Sequence, residues 1–98
     1  KPALVYQVVT RFLERTPAEL DELDRLYQDG LAGDFGRLAH RIKGAAATLT
    51  AEPIRALAAR LQELGDSGDL QQAAEPLIHL RAAVTALTQY VREQEEMI

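Results

Sequence analysis

Apolar residues recur along this chain at intervals of three and four, the spacing that gathers side chains on one face of a helix. Leu4, Val5, Val8, Val9, Phe12 and Leu13 form the first such face, over Pro2 to about Arg15. Thr16-Pro17-Ala18-Glu19 then reads as a fresh start: Thr16 as N-cap, Pro17 at the first helical position where its missing N–H is harmless, and Glu19 closing a capping box. The second helix carries Leu20, Leu23, Leu26 and Tyr27 on its core side, turns Glu22, Asp24, Arg25 and Gln28 to water, and ends at Gly30. After a connector of Leu31 to Gly33, Asp34 caps a third helix running to about Leu49, with Phe35, Leu38, Ile42, Ala45 and Leu49 in one narrow arc. Pro53 is tolerated only in a first turn, which sets the fourth start near Ala51; Ile54, Leu57, Leu61 and Leu64 are its core, and the cluster Gly65-Asp66-Ser67-Gly68-Asp69 breaks it. Asp69 with Gln72 resembles another capping box ahead of the last helix, whose seam is Ala73, Leu77, Leu80, Val84, Leu87 and Val91. Pro76 predicts a kink or a one-turn pre-helix before it, and the polar tail after Val91 a frayed end. No stretch alternates with a period of two between hairpin turns, so the fold class is all-α: five helices with short links, an antiparallel bundle.

Composition narrows the class. A chain of 98 residues, 47% of them hydrophobic, is long enough for one domain over 1–98 with one core and too short for two. The absence of cysteine removes disulfides and thiolate metal sites and agrees with a reducing compartment, so the cytoplasm is the expected location. No apolar run or charged-then-apolar leader predicts a membrane span or a signal peptide. The net charge of −4, with Lys and Arg scattered, argues against a nucleic-acid footprint. The chain opens on Lys1 rather than Met, from which a piece of a longer protein is expected.

The third helix holds the functional signal. His40 points away from its apolar arc, and the outer face around it carries Gly36, Lys43, Gly44 and Ala47 where long charged side chains are usual. Glycine inside a helix costs about 1 kcal/mol relative to alanine, and Gly44 makes no turn. Side chains removed beside one imidazole leave room for another protein's surface to approach the ring; the plain alternative is an exposed histidine on an alanine-rich helix. Other chemistries fail on spacing. Di-iron bundles need Glu-x-x-His pairs, whereas Arg37 and Pro76 stand three residues before His40 and His79. Two histidines on different helices do not make a zinc site, no phosphate-binding glycine loop is present, and the only serine, Ser67, lies in a turn cluster. An ordinary imidazole titrates at about pH 6.5, so at pH 7 one ring nitrogen keeps a lone pair able to attack an activated phosphorus. Lys43, one turn along, could set an ammonium beside the phosphoryl oxygens, and is otherwise a solvated lysine.

His40-Arg41-Ile42-Lys43-Gly44-Ala45-Ala46 closely resembles the signature of histidine-containing phosphotransfer (HPt) domains: His, any residue, Leu or Ile, Lys, Gly, then two small residues. Leu38-Ala39, the Leu-Ala-Ala-Arg-Leu run at 57–61, the Gly-Asp turn and the long last helix extend the resemblance over nearly the whole chain. It implies a four-helix bundle with a shorter N-terminal helix over one end, and a His40 that takes a phosphoryl group from a receiver domain's phospho-aspartate and donates it to another receiver. It also implies that Lys43 and Gly44 belong to the working set, that Gln62 of the following helix steadies the imidazole, and that the divalent metal ion belongs to the receiver, leaving this domain with no cofactor of its own. Many members carry Gly where Thr50 stands and often another at Ala47, which leaves the end of the helix and partner preference open. His79 has no counterpart in the motif. A sensor kinase's dimerisation domain would show an acidic residue after the His and a proline shortly beyond; Arg41 and the alanines contradict that. The expectation is a monomeric phosphorelay intermediate, in keeping with the C-terminal, cytoplasmic module of a hybrid sensor histidine kinase. The alternative is an HPt-shaped interaction module without phosphotransfer.

Overall fold

The computed structural model describes residues 2–97, which form four α-helices and a single short 3-10 turn, with no strand among the described residues. Helix α1 spans Pro2–Gln28, α2 Ala32–Thr48, α3 Glu52–Ser67 and α4 Ala74–Glu96, the 3-10 turn at Leu70–Gln72 preceding α4. No helix of the described residues is long and apolar enough to cross a membrane. The most extensive helix pairing is α2 with α3; α1 also packs on α2, and α3 and α1 on α4. Phe35, Leu23, Ile42, Leu61 and Leu80 are the largest fully buried apolar side chains, each contributing about 1.5–3 kcal/mol of transfer free energy.

The expected break at Thr16-Pro17 does not occur: α1 is one 27-residue helix with Pro17 inside it, so the separate short N-terminal helix is absent. The reason lies in the buried stripe. Phe12, Thr16, Leu20 and Leu23 follow one another at spacings of four, four and three, and all are buried. Thr16 does not cap; its hydroxyl donates to the Phe12 carbonyl at 2.6 Å, so a polar atom with no exposure is satisfied within the helix. Pro17 removes the donor that would meet the Leu13 carbonyl. Unbroken burial on either side of that defect offsets its cost. At the far end α1 runs alongside α4 in the opposite direction, Tyr6 meeting Glu95 while Arg81 reaches Asp21 at 3.0 Å and Asp24 at 2.8 Å. The Arg81 guanidinium titrates above its ordinary value, chiefly because of the hydrogen bond to Asp24, with that to Asp21 adding to it against the cost of partial burial.

The links between helices are short because each helix end hands directly to the next start. Gly30 (φ 71°), Thr50 (φ 55°) and Gly68 (φ 77°) adopt the left-handed conformation after α1, α2 and α3. The following amides bond back five residues: Leu31 N to Leu26 O at 3.0 Å, Ala51 N to Ala46 O at 2.9 Å and Asp69 N to Leu64 O at 2.8 Å. Leu31 and Ala51 then accept the first bonds of α2 and α3, from Phe35 N and Arg55 N, each at 2.9 Å. The expected cap role of Asp34 is corrected accordingly: Leu31 is the N-cap, and Asp34 lies in the first turn, where it favours the positive helix end and pairs with Arg37. Asp69 likewise makes no side-chain cap; its carboxylate receives the Gln72 amide at 2.6 Å across the 3-10 turn. That turn is the one-turn pre-helix expected ahead of Pro76, and Pro76 sits in the first turn of α4.

Helices α2 and α3 come closest at two glycines. A Cβ on Gly65 would lie 2.6 Å from Gly36 N, 2.7 Å from Gly36 Cα and 2.9 Å from the Ala32 carbonyl oxygen, all backbone atoms that cannot step aside. Gly65 therefore does not break α3, as its place in a turn-like cluster suggests; it is buried inside the helix and lets the two backbones touch.

Two substitutions test this account by chemical or thermal unfolding. Gly65→Ala is expected to destabilise the domain by about 1–3 kcal/mol through overpacking, despite alanine's better helix propensity. Thr50→Gly is expected to stabilise it by about 0.5–1 kcal/mol, a rise in Tm of a few degrees, because a β-branched residue holds a left-handed conformation there. A stable Gly65→Ala or a destabilised Thr50→Gly would contradict it.

Candidate functional site

Helix α2 presents His40, Gly44 and Ala47 to solvent, all exposed along one strip at spacings of four and three, with half-buried Lys43 on its flank. Phe35, Leu38 and Ile42 anchor the opposite side in the core, while Ala45 and Leu49 are half-buried. The strip is open: a Cβ built on Gly44 meets nothing within 4 Å. Gly36 does not belong to it. It was expected beside His40 on the outer face, but it is buried where α2 meets Gly65 of α3. A second face of α2, with Gly36, Ala39 and Ala46, is buried too, because this helix packs on both α1 and α3 and has two sides to cover.

The imidazole is held from α3. His40 Nδ1 lies 3.2 Å from Gln62 Oε1, and Gln62 is half-buried between the exposed ring and the core. A carbonyl oxygen only accepts hydrogen bonds, so with Gln62 Oε1 facing the ring this contact is a hydrogen bond only in the tautomer that carries its hydrogen on Nδ1 and keeps the lone pair on Nε2. The amide nitrogen of Gln62 turns the other way, 3.5 Å from Asp66 Oδ2. Gly36, Arg37, His40, Arg41, Gln62 and Asp66 together line a shallow open hollow between α2 and α3.

Three cationic side chains stand within one turn of His40 along α2, at positions 37, 41 and 43. Arg37 pairs with Asp34 on its own helix, and Arg41 lies 3.8 Å from Glu19 of α1. Among the described residues Lys43 enters no ion pair, so of the three it is the one whose ammonium is uncommitted. His79 is exposed on α4 and is not among the residues that line the hollow. No group of three or more His, Cys, Asp and Glu among the described residues could hold a metal ion. The arrangement can present one neutral ring nitrogen, with a free cation one turn away, to a reacting group carried on another molecule.

Asp66 is hidden in the sequence, where the Gly65–Asp69 cluster reads as a turn. The spacing of four from Gln62 would have put both on one face of α3 had the helix been extended through Gly65.

A comparison with models of protein families matches the Hpt domain over residues 7–90. No curated relative and no solved structure matches the chain.

Since nothing in the fold contacts the position, Gly44→Ala is expected to stabilise the domain by about 1 kcal/mol, the ordinary helix-interior difference, measured by urea unfolding. The opposite sign from Gly65→Ala would separate a glycine that the fold requires from one that it does not. A loss of stability at both positions would mean that the strip is not open.

Proposed function

The chain belongs to the Hpt domain family, phosphotransfer modules of two-component signalling, and on that premise we propose that His40 is the phosphoacceptor of a phosphorelay, taking its group from one receiver domain and passing it to another. The single observation that carries the reading is the exposed His40 ring, with Nδ1 against Gln62 Oε1 and, among the described residues, no hydrogen-bond partner at Nε2, beside a strip cleared of long side chains. In the forward step the Nε2 lone pair attacks the phosphorus of an aspartyl phosphate. A P–N bond forms, the P–O bond to the aspartyl carboxyl breaks, and the carboxylate leaves with the bonding pair. No proton need move: Nδ1 keeps its hydrogen on Gln62 Oε1, and that bond becomes charge-assisted as the ring gains positive character. The return step is the same path with a second aspartate attacking phosphorus.

Lys43 neutralises charge on the phosphoryl oxygens, the contribution that positioning and electrostatics make to such transfers. Gly44 and Ala47 form the landing strip for the receiver's surface, and an empty Gly44 position that the fold does not need supports this. The divalent ion and the acidic pocket are the receiver's, so the domain works without a cofactor of its own. We read the four helices as an antiparallel bundle that acts as a monomer, in the cytoplasm, as a module of a hybrid sensor kinase or a partner to one.

The test mixes the purified domain with phosphorylated receivers and follows label onto the wild type and onto His40→Gln. Label on the wild type alone is expected, and it should survive alkali and be lost in acid, as a phosphoramidate is. Lys43→Ala should slow transfer about tenfold, equivalent to roughly 1.4 kcal/mol of lost transition-state stabilisation, and Gly44→Glu by a similar factor or more without unfolding the helix. Label on neither protein across several receivers would favour an interaction module, and label on both would point to His79.

A further inference from the structure

The orientation of the Gln62 amide decides which nitrogen of His40 is free, and the ring alone cannot fix it. An amide has a donor end and an acceptor end of nearly equal size. Flipped by a half-turn, Gln62 would donate to Nδ1, the ring hydrogen would move to Nε2, and the exposed nitrogen would lose its lone pair. Free histidine in fact prefers its hydrogen on Nε2, so the arrangement at His40 is one the protein has to impose.

We propose that Asp66 is the positioning residue that imposes it. Its carboxylate lies one helical turn beyond Gln62, with Oδ2 3.5 Å from the amide nitrogen. An ionised carboxylate accepts and never donates, so only the NH2 end of Gln62 can face it, and the carbonyl end must face the ring. The seat for that carboxylate is built into the helix crossing. A Cβ on Gly36 would lie 2.6 Å from Asp66 Oδ1 and 3.3 Å from the Asp66 amide nitrogen, so the missing side chain of Gly36 is the space the Asp66 side chain occupies. The neighbouring Gly65, pressed on Gly36, fixes how far Asp66 reaches across α2. Polarity thus passes from a carboxylate acceptor, through an amide, to the ring: Asp66 holds Gln62, Gln62 holds the hydrogen on Nδ1, and Nε2 stays nucleophilic. Among the described residues Asp66 is also the only acidic side chain lining the hollow, the others there being Arg37, Arg41, His40, Gln62 and Gly36.

This inference rests on the reading of His40 as the phosphoacceptor, so the test carries two separate readouts. The first is the ring tautomer of His40, from its nitrogen-15 chemical shifts in the unphosphorylated domain at alkaline pH. The second is the rate of transfer from a phosphorylated receiver. In the wild type the Nδ1–H form should dominate. Asp66→Ala should let the ring drift toward the Nε2–H form and slow transfer about tenfold. Asp66→Lys, which places a donor where the acceptor stood, should drive the ring further to Nε2–H, even though its added positive charge would by itself favour a phosphoryl group. Asp66→Asn, whose amide donates as well as accepts, no longer forbids the flipped Gln62 and should shift the tautomer part of the way, whereas Asp66→Glu keeps a pure acceptor and should restore much of the wild-type tautomer and rate. An unchanged tautomer in Asp66→Lys would overturn the proposal whatever happens to the rate, and so would a shifted tautomer with transfer at the wild-type rate. A wild-type domain that takes no phosphoryl group from any receiver would overturn the functional reading instead, while the tautomer series would still decide whether Asp66 orients the ring.

Discussion

The contact of Gly36 with Gly65 fixes the geometry on which the site depends. Helix backbones ordinarily stand apart by the depth of the side chains between them. Here two absent side chains let α2 and α3 meet main chain to main chain, and a single Cβ on Gly65 would lie within 3 Å of three backbone atoms. Because α3 is held that close, Gln62, about one turn before the contact, reaches the ring of His40, which stands about one turn after it on α2. The two helices run in opposite directions, so the residues pair in reverse order along the crossing. Each glycine sacrifices about 1 kcal/mol of helix propensity, and the extensive α2–α3 pairing returns that through burial of residues such as Ala39, Ala46, Ala58 and Leu61.

Gly44 has the same side chain and the opposite explanation. It lies two turns beyond Gly36 on the same helix, faces solvent, and has nothing near it for a Cβ to strike. The fold gains nothing from leaving that position bare. An external surface does, if it must come close enough for the His40 Nε2 to reach a phosphorus. Read together, Gly36, Gly44 and Gly65 show that glycine within a helix acquires its meaning from what lies opposite, and only coordinates separate the cases.

That is also where the sequence was least legible. The seam of Ala73, Leu77, Leu80 and Val84, the helix end at Gly30, the all-helical class and the exposure of His40 are carried by periodicity and turn chemistry alone. Thr16-Pro17-Ala18-Glu19 misled because a local capping pattern competed with a buried stripe that passes straight through it, and long-range burial of Phe12, Thr16, Leu20 and Leu23 won. Gly36 misled because a single apolar arc was sought on a helix that has two neighbours and hence two buried faces. The second face is made of Gly and Ala, which hydrophobic patterning weighs lightly. Asp66 was hidden by the same turn-like cluster that concealed Gly65, since a Gly-Asp-Ser-Gly run marks a helix end in most settings and here the end comes only at Gly68.

All of this converges on one atom, Nε2 of His40. The most direct test is a nitrogen–phosphorus correlation spectrum of the phosphorylated domain with its histidine rings labelled. A single phosphorus coupled to Nε2 of His40 is expected, with Nδ1 still carrying its hydrogen. Coupling to Nδ1 of His40, or to either ring nitrogen of His79, would contradict it.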